Sequence, residues 1–252
     1  MINVIKVGGA VVEDPSSLNV LLESFVRVEG PKVLVHGGGR TATNLAQQLG
    51  IESRMVGGRR ITDAATLRVV TMVYAGLVNK NIVAQLQARG VIALGLTGAD
   101  LNIIRAHRRP VTPEGVDFGF VGDVDYADGQ RLQQLLDAGI TPVIAPLTHD
   151  GQGQMLNINA DTMAQTVAVS LADSALTFCF ELPGVLSNPH DASTLIHHLT
   201  EPEFQGLVED GIIAGGMIPK LENAFAALRA GVSSVRITNI HNLQGGTLIT
   251  NV

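Results

Sequence analysis

Six apolar runs limit what this chain can fold into: NVIKV (Asn3 to Val7), KVLVH (Lys32 to His36), VIALGL (Val91 to Leu96), TPVIAP (Thr141 to Pro146), ALTFCF (Ala175 to Phe180) and SSVRIT (Ser233 to Thr238). Most are nearly continuous rather than alternating, the pattern of strands covered on both faces. Between them apolar residues recur at helical spacing. Leu18, Leu21, Leu22 and Phe25 follow Asp14-Pro15, Leu45, Ala46 and Leu49 follow a triple glycine, and Leu67, Val70 and Val73 follow Thr62-Asp63. Ile82 and Leu86 lead to Gly90, Leu132, Leu135 and Leu136 precede Gly139, Met163, Val167 and Leu171 follow Asn159, and Leu221, Phe225 and Leu228 precede Gly231. Strands alternating with helices predict parallel βαβ crossovers, and so an α/β chain built as a three-layer α/β/α sandwich with a mainly parallel central sheet. His107 to Asp125 reads as a hairpin.

At 252 residues the chain can form one large domain or two small ones. A turn-rich stretch at 182–193 suggests a boundary just before Ala175, dividing the chain into lobes 1–174 and 175–252. Apolar runs this short predict no membrane span, which needs about 20 apolar residues, and the opening MINVIKVGGA carries no secretion signal. The single cysteine, Cys179, lies in an apolar run and reads as a core residue of a protein from a reducing cytoplasm. Seventeen Lys and Arg against 23 Asp and Glu give a net charge of −6 with no basic cluster. That balance excludes nucleic acid as an expected partner, since backbone binding needs a concentrated basic surface.

Glycine is abundant, 28 residues, and clustered where chemistry is expected. Lys6-Val7-Gly8-Gly9 ends the first strand, where ligands of open α/β sheets bind and paired glycines let backbone amides approach an anion. Val35-His36-Gly37-Gly38-Gly39-Arg40 repeats the arrangement ahead of a helix, whose N-terminus is a ready anion site. It also fits G-x-G-x-x-A (Gly37, Gly39, Ala42), but the acidic residue that a dinucleotide site needs about 20 positions later is missing. A dehydrogenase is therefore only an alternative. Arg60, ahead of the Thr62-Asp63 helix start, suits a carboxylate gripped through two hydrogen bonds, or simply solvent. In Met155-Leu156-Asn157-Ile158-Asn159-Ala160-Asp161, capping accounts for Asn159 and Asp161 and leaves Asn157 unexplained. Lys220 in GGMIPK stands in a first helical turn, where a cation is disfavoured unless an anion is near. Two lysines, two glycine turns and an aspartate suggest phosphoryl transfer. The P-loop G-x-x-x-x-G-K-[ST] and G-x-S-x-G are absent, and no histidine spacing predicts a metal cage.

Taken in order, KVGG, VHGGGR, GRRIT, GLVNKNIV, GLTGAD, GFVGDV, NINAD, GGMIPKLENA and GGTLI resemble the amino acid kinase family along essentially the whole chain. The resemblance is to the branch that phosphorylates the γ-carboxylate of an N-acylated glutamate in arginine biosynthesis. It implies ATP with Mg²⁺ carried on its phosphates, and catalytic roles for Lys6 and Lys220, with Asp161 holding both lysines. Gly8 and Gly9 would contact ATP phosphates, and Gly37 and Gly38 the transferring phosphoryl and acceptor. Arg60 and Asn157 would hold the α-carboxylate, with Asn159 beside them. Glu181, Gly184, Leu186, Ile212, Ile213, Ala214 and Gly216 would bind the nucleotide.

The resemblance further implies an acyl-amino-acid lobe at 1–174 that also carries a homodimer interface, and a nucleotide lobe at 175–252. One departure stands out: Phe180-Glu181 replaces the Ser-Asp that many relatives carry. N-acetyl and N-succinyl glutamate remain alternative substrates. A catalytically silent sensor is the alternative outside enzymes, disfavoured because it needs no paired lysines.

Overall fold

The computed structural model describes residues 1–188, 190–215 and 217–251. Its strands are β1 (Ile2–Val7), β2 (Lys32–His36), β3 (Met55–Val56), β4 (Arg59–Arg60), β5 (Ala93–Leu96), β6 (Ile104–Arg108), β7 (Gly122–Ala127), β8 (Thr141–Ile144), β9 (Leu147–His149), β10 (Met155–Asn157), β11 (Ser174–Phe180), β12 (His198–Leu199), β13 (Ser234–Asn239) and β14 (Thr247–Ile249). The six apolar runs supply β13, β11, β1, β2, β8 and β5, which lie side by side in that order, all parallel. Two short strands extend the sheet beyond β13: β14, antiparallel to it, and β12. A four-stranded sheet in the order β10-β9-β6-β7 contains the anticipated hairpin.

Helices α1 (Gly9–Glu13), α2 (Pro15–Arg27), α3 (Gly39–Gln48), α4 (Ala64–Val70), α5 (Asn79–Gln87), α6 (Gly129–Asp137), α7 (Ala160–Ser170), α8 (Glu201–Glu209) and α9 (Met217–Arg229) fill the connections. Their starts follow from local chemistry. Asp14 caps α2 by accepting from Ser17 N at 2.8 Å, Asp63 caps α4 from Thr66 N at 2.8 Å, and Asn159 caps α7 from Asp161 N at 2.8 Å. Where the sequence suggests two helices, α4 and α5 join through a π-type segment, Thr71–Val78, into one helix, Ala64–Gln87. No proline interrupts it, and Gly76 alone does not break it. By length and composition alone this helix is long and apolar enough to cross a bilayer, a test that a buried core helix also passes. Leu67, Val69, Val70, Val73, Ile82 and Leu86 on it are buried in the core.

The central sheet divides two apolar clusters. Leu18, Leu21, Leu22 and Phe25 of α2 pack with Ile5 and Val7 on one face, and Met163 and Val167 of α7 with Leu221 and Phe225 of α9 pack against Ile2 and Val4 on the other. Side chains alternate along a strand, so Lys6 continues the row Ile2, Val4 toward α7 and α9. The boundary expected at Ala175 falls within β11, which pairs with β1 from Ile2↔Ser174 to Val7↔Cys179, so the two lobes share this sheet.

Candidate active site

Parallel neighbours β1, β2 and β11 end on the same edge of the sheet, and two glycine turns meet there. Gly37 N donates to Val7 O at 3.0 Å. A Cβ on Gly37 would lie 3.0 Å from Gly9 N, and one on Gly9 would lie 3.3 Å from the amides of Gly38 and Gly39. Glycine at both places lets the turns touch, which gathers their amides at the start of α3 where an anion is favoured.

Lys6, its side chain 8% exposed, lies with Nζ 2.6 Å from Asp161 Oδ1. The approach is ionic without a directed hydrogen bond, because Oδ1 has no partner of hydrogen-bond geometry. Lys220, in the first turn of α9, has no ion pair with Asp161 or any other described residue. Its Nζ rests 4.0 Å from the centre of the Phe180 ring, and Lys6 Nζ lies 5.4 Å from the same centre. The two ammonium groups thus have one ring as a common neighbour.

Arg60 is buried, yet forms no ion pair among the described residues. Its Nη1 donates to Ser53 Oγ at 3.0 Å, and its Nη2 to Gly39 O at 2.9 Å and to Thr43 Oγ1 at 2.8 Å. Beside it Asn157 Nδ2 donates to Thr62 Oγ1 at 3.0 Å, while the Thr62 hydroxyl donates to Arg60 O at 3.1 Å. That spent hydroxyl proton fixes the amide orientation and leaves Asn157 Oδ1 a buried acceptor without a donor. Arg60, Asn157, Asn159, Gly37, Gly38 and Tyr74 line a cavity of 160 Å³.

This small cavity shares Gly39, Met55 and Arg60 with one of 750 Å³, lined also by Gly8, Gly9, Glu181 and Lys220. A third, of 240 Å³, adjoins Lys220 and is walled by Leu186, Ile212, Ile213 and Ala214. Gly184 lines none of the three. A Cβ there would meet Thr247 N at 3.0 Å, so its glycine serves packing. Gly216 lies outside the described residues. Thr43, Ser53, Thr62 and Tyr74 were not singled out from sequence. Thr62 stood next to a recognised helix cap, but isolated hydroxyl residues such as Thr43 and Ser53 give no periodicity or motif to find them by.

Behind the glycine turn, His36 is fully buried. Its Nε2 faces Asn79 Nδ2 at 3.1 Å and its Nδ1 faces Gly37 O at 2.7 Å. Asn79 donates from Nδ2, so the ring proton sits on Nδ1 and goes to Gly37 O. Burial pushes this imidazole down to about 4. Cys179 is equally enclosed, its thiol pushed up to about 12 by burial, which suits a core residue rather than a nucleophile. Among the described residues no three His, Cys, Asp or Glu side chains converge as a metal cage would require.

Residues 1–239 match the sequence pattern of the amino acid kinase family. An acetylglutamate kinase of Bacteroides fragilis is 59% identical over 254 residues, covering 98% of this chain and 96% of that protein. One from Methanopyrus kandleri is 42% identical over 245 residues, with coverages of 96% and 97%. Among solved structures, N-acetylglutamate synthase from Neisseria gonorrhoeae, complexed with coenzyme A and N-acetyl-glutamate, superposes with a TM-score of 0.82 at 27% identity, over 99% of this chain and 59% of that one.

Proposed function

Because the chain belongs to the amino acid kinase family, we propose that it transfers the γ-phosphoryl group of ATP to the γ-carboxylate of N-acetyl-L-glutamate in arginine biosynthesis, giving N-acetyl-L-glutamyl 5-phosphate. One observation carries the reading. A buried arginine without an anionic partner among the described residues and a buried amide oxygen without a donor share a cavity that adjoins, through Gly39, Met55 and Arg60, the larger one lined by Lys220. A substrate with a carboxylate and an amide N–H supplies both missing partners.

In this reading Arg60 grips the α-carboxylate through its fork. Asn157 Oδ1, an acceptor, is better matched to the acylamido N–H than to the carboxylate. The γ-carboxylate is ionised at neutral pH, so no general base is required. The obstacle is repulsion between two anions, and catalysis becomes positioning and charge stabilisation. Lys6 and Lys220 act on the charge of the transferring group, with Asp161 aiming Lys6, while the amides of the Gly8-Gly9 and Gly37-Gly38 turns hold phosphate oxygens. The 240 Å³ apolar cavity suits the adenine, with Glu181 toward the ribose. Mg²⁺, carried on the ATP phosphates, would neutralise part of their charge.

ADP release measured with N-acetyl-L-glutamate, L-glutamate and L-aspartate, together with hydroxylamine trapping of the acyl phosphate, tests the proposal. Release independent of the acylated substrate would overturn it.

We further read the protein as a cytoplasmic homodimer. Met72 and Leu77, at 52% and 62% exposure on the long helix, and Ile92 beside the edge strand β5 support a self-association face, which light scattering can test. One observation favours a second substrate. Arg59 also lines the small cavity and makes no ion pair among the described residues, so it could meet the terminal carboxylate of N-succinyl-L-glutamate. The ratio of kcat/KM for the two acyl substrates decides between them.

A further inference from the structure

We propose that Phe180 is a positioning residue for phosphoryl transfer, its ring face holding Lys220, and at longer range Lys6, in place before the phosphates arrive. The inference rests on the kinase reading above and assigns a role to an aromatic side chain that the reading itself leaves without one.

The ring is fixed by its own strand. Phe178 and Phe180 point to the same face of β11, with ring centres 6.0 Å apart and planes 9° from parallel, and Phe178 is buried. Lys6 pairs in register with Phe178 on the neighbouring strand, so its long side chain runs on toward Phe180. Lys220 reaches the same ring from the start of α9 at 4.0 Å, inside the roughly 6 Å range of a cation–π contact.

Lys220 needs such a support. It sits near the positive end of a helix and has no carboxylate partner among the described residues, so electrostatics would otherwise send it into solvent. A carboxylate could restrain it, but would cancel its charge and compete with the phosphates. An aromatic face restrains an ammonium group while leaving its charge intact, which is what a group awaiting an anion requires. Lys6, held by Asp161 on one side, has the ring on another.

Replacing Phe180 with phenylalanines of increasing fluorination tests this, since shape is nearly kept while the negative ring face is progressively removed. Log kcat should fall steadily along the series, reaching about tenfold below wild type at full depletion, with KM for ATP nearly constant. Phe180→Leu should fall similarly, and Phe180→Trp should retain most activity. A kcat unchanged by fluorination, or a rise in KM for ATP with constant kcat, would overturn the proposal and leave the ring as a wall of the nucleotide cavity. Lysine-labelled NMR of the free protein separates this from the reaction itself. Lys220 side-chain protons should carry an upfield ring-current shift that Phe180→Leu abolishes, and absence of the shift in wild type would also overturn the proposal. A wild type that retains the shift but cannot phosphorylate N-acetyl-L-glutamate would strike the kinase reading instead.

Discussion

Lys6 Nζ and Asp161 Oδ1 are 2.6 Å apart, and the lysine is far less exposed than its partner, 8% against 33%. A buried ammonium group is tolerated only with a counter-charge, and this one comes from the first turn of α7, where the helix dipole also favours an anion. The pair therefore aims Lys6 along the end of β1. Removing one preorganised charge from such a site costs roughly 3 to 4 kcal/mol, or about 10²- to 10³-fold in rate. Lys6→Ala and Lys220→Ala should each lower kcat by that order, and Asp161→Asn by less, because the ammonium group remains but is poorly aimed. Near-normal turnover in Lys6→Ala, measured by coupled ADP release, would remove Lys6 from the chemistry.

Arg60 should show the opposite kinetic signature. Ser53, Thr43 and Gly39 already hold its guanidinium, so the side chain is in place before substrate binds. Losing a charge-assisted contact to the α-carboxylate should raise KM for N-acetyl-L-glutamate about 10- to 100-fold with kcat changed far less. Arg60→Lys should rescue little, since an ammonium group cannot reproduce the fork. A variant with collapsed kcat and unaltered KM would exchange the roles assigned to Arg60 and the lysines.

Continuous apolar runs made the six parallel strands legible, because burial on both faces leaves a composition signal. The edge strands β12 and β14 and the β3–β4 pair were not, being two or three residues long with too few positions to establish a period. The junction of α4 and α5 was missed for the converse reason, since a helix that passes through a π-type segment shifts its apolar face and reads as two. Glycine turns and charged residues at strand ends marked much of the candidate site. What sequence could not supply was mutual orientation: that Thr62 spends its hydroxyl proton on Arg60 O, and so takes Asn157 Nδ2 as its donor and leaves Oδ1 without one, depends on three residues meeting in space. The resemblance gave Asp161 to both lysines, whereas here it pairs with Lys6 and Lys220 lies on Phe180.

The two glycine turns should respond differently to the same substitution. A Cβ on Gly8 meets nothing within 4 Å, whereas on Gly37 it would stand 3.0 Å from a backbone nitrogen of the other turn. Gly8→Ala should therefore fold with nearly wild-type stability while its methyl occupies space beside the proposed phosphate path, raising KM for ATP. Gly37→Ala must push the turns apart, lowering both melting temperature and kcat. Equal melting temperatures for the two variants would show that the contact between the turns is not a constraint.

His36 predicts a specific acid sensitivity. Burial holds its folded pKa at about 4 against an ordinary 6.5, so between those values the unfolded chain binds a proton that the folded one refuses. Stability then rises with pH across this window. The contribution is intact above the unfolded value, is lost as pH falls from 6.5 toward 4, and changes no further below that; its full size is about 3 kcal/mol. Lowered carboxylates such as Asp14, held near 2 by the hydroxyl and amide hydrogen bonds of Ser16 and Ser17, lose their stabilisation mainly below about pH 5, which leaves the range between about pH 5 and about pH 7 mainly to the imidazoles. Urea unfolding of wild type and His36→Asn at about pH 7 and about pH 5 isolates the effect, because the other six histidines are common to both proteins. Wild type should lose appreciably more stability between the two conditions than the variant does, whatever their absolute values. Identical losses would mean that His36 is protonated in the folded state at the lower pH, in which case Nδ1 would still donate to Gly37 O but Nε2 could no longer accept from Asn79 Nδ2, and that contact would have to be reassigned.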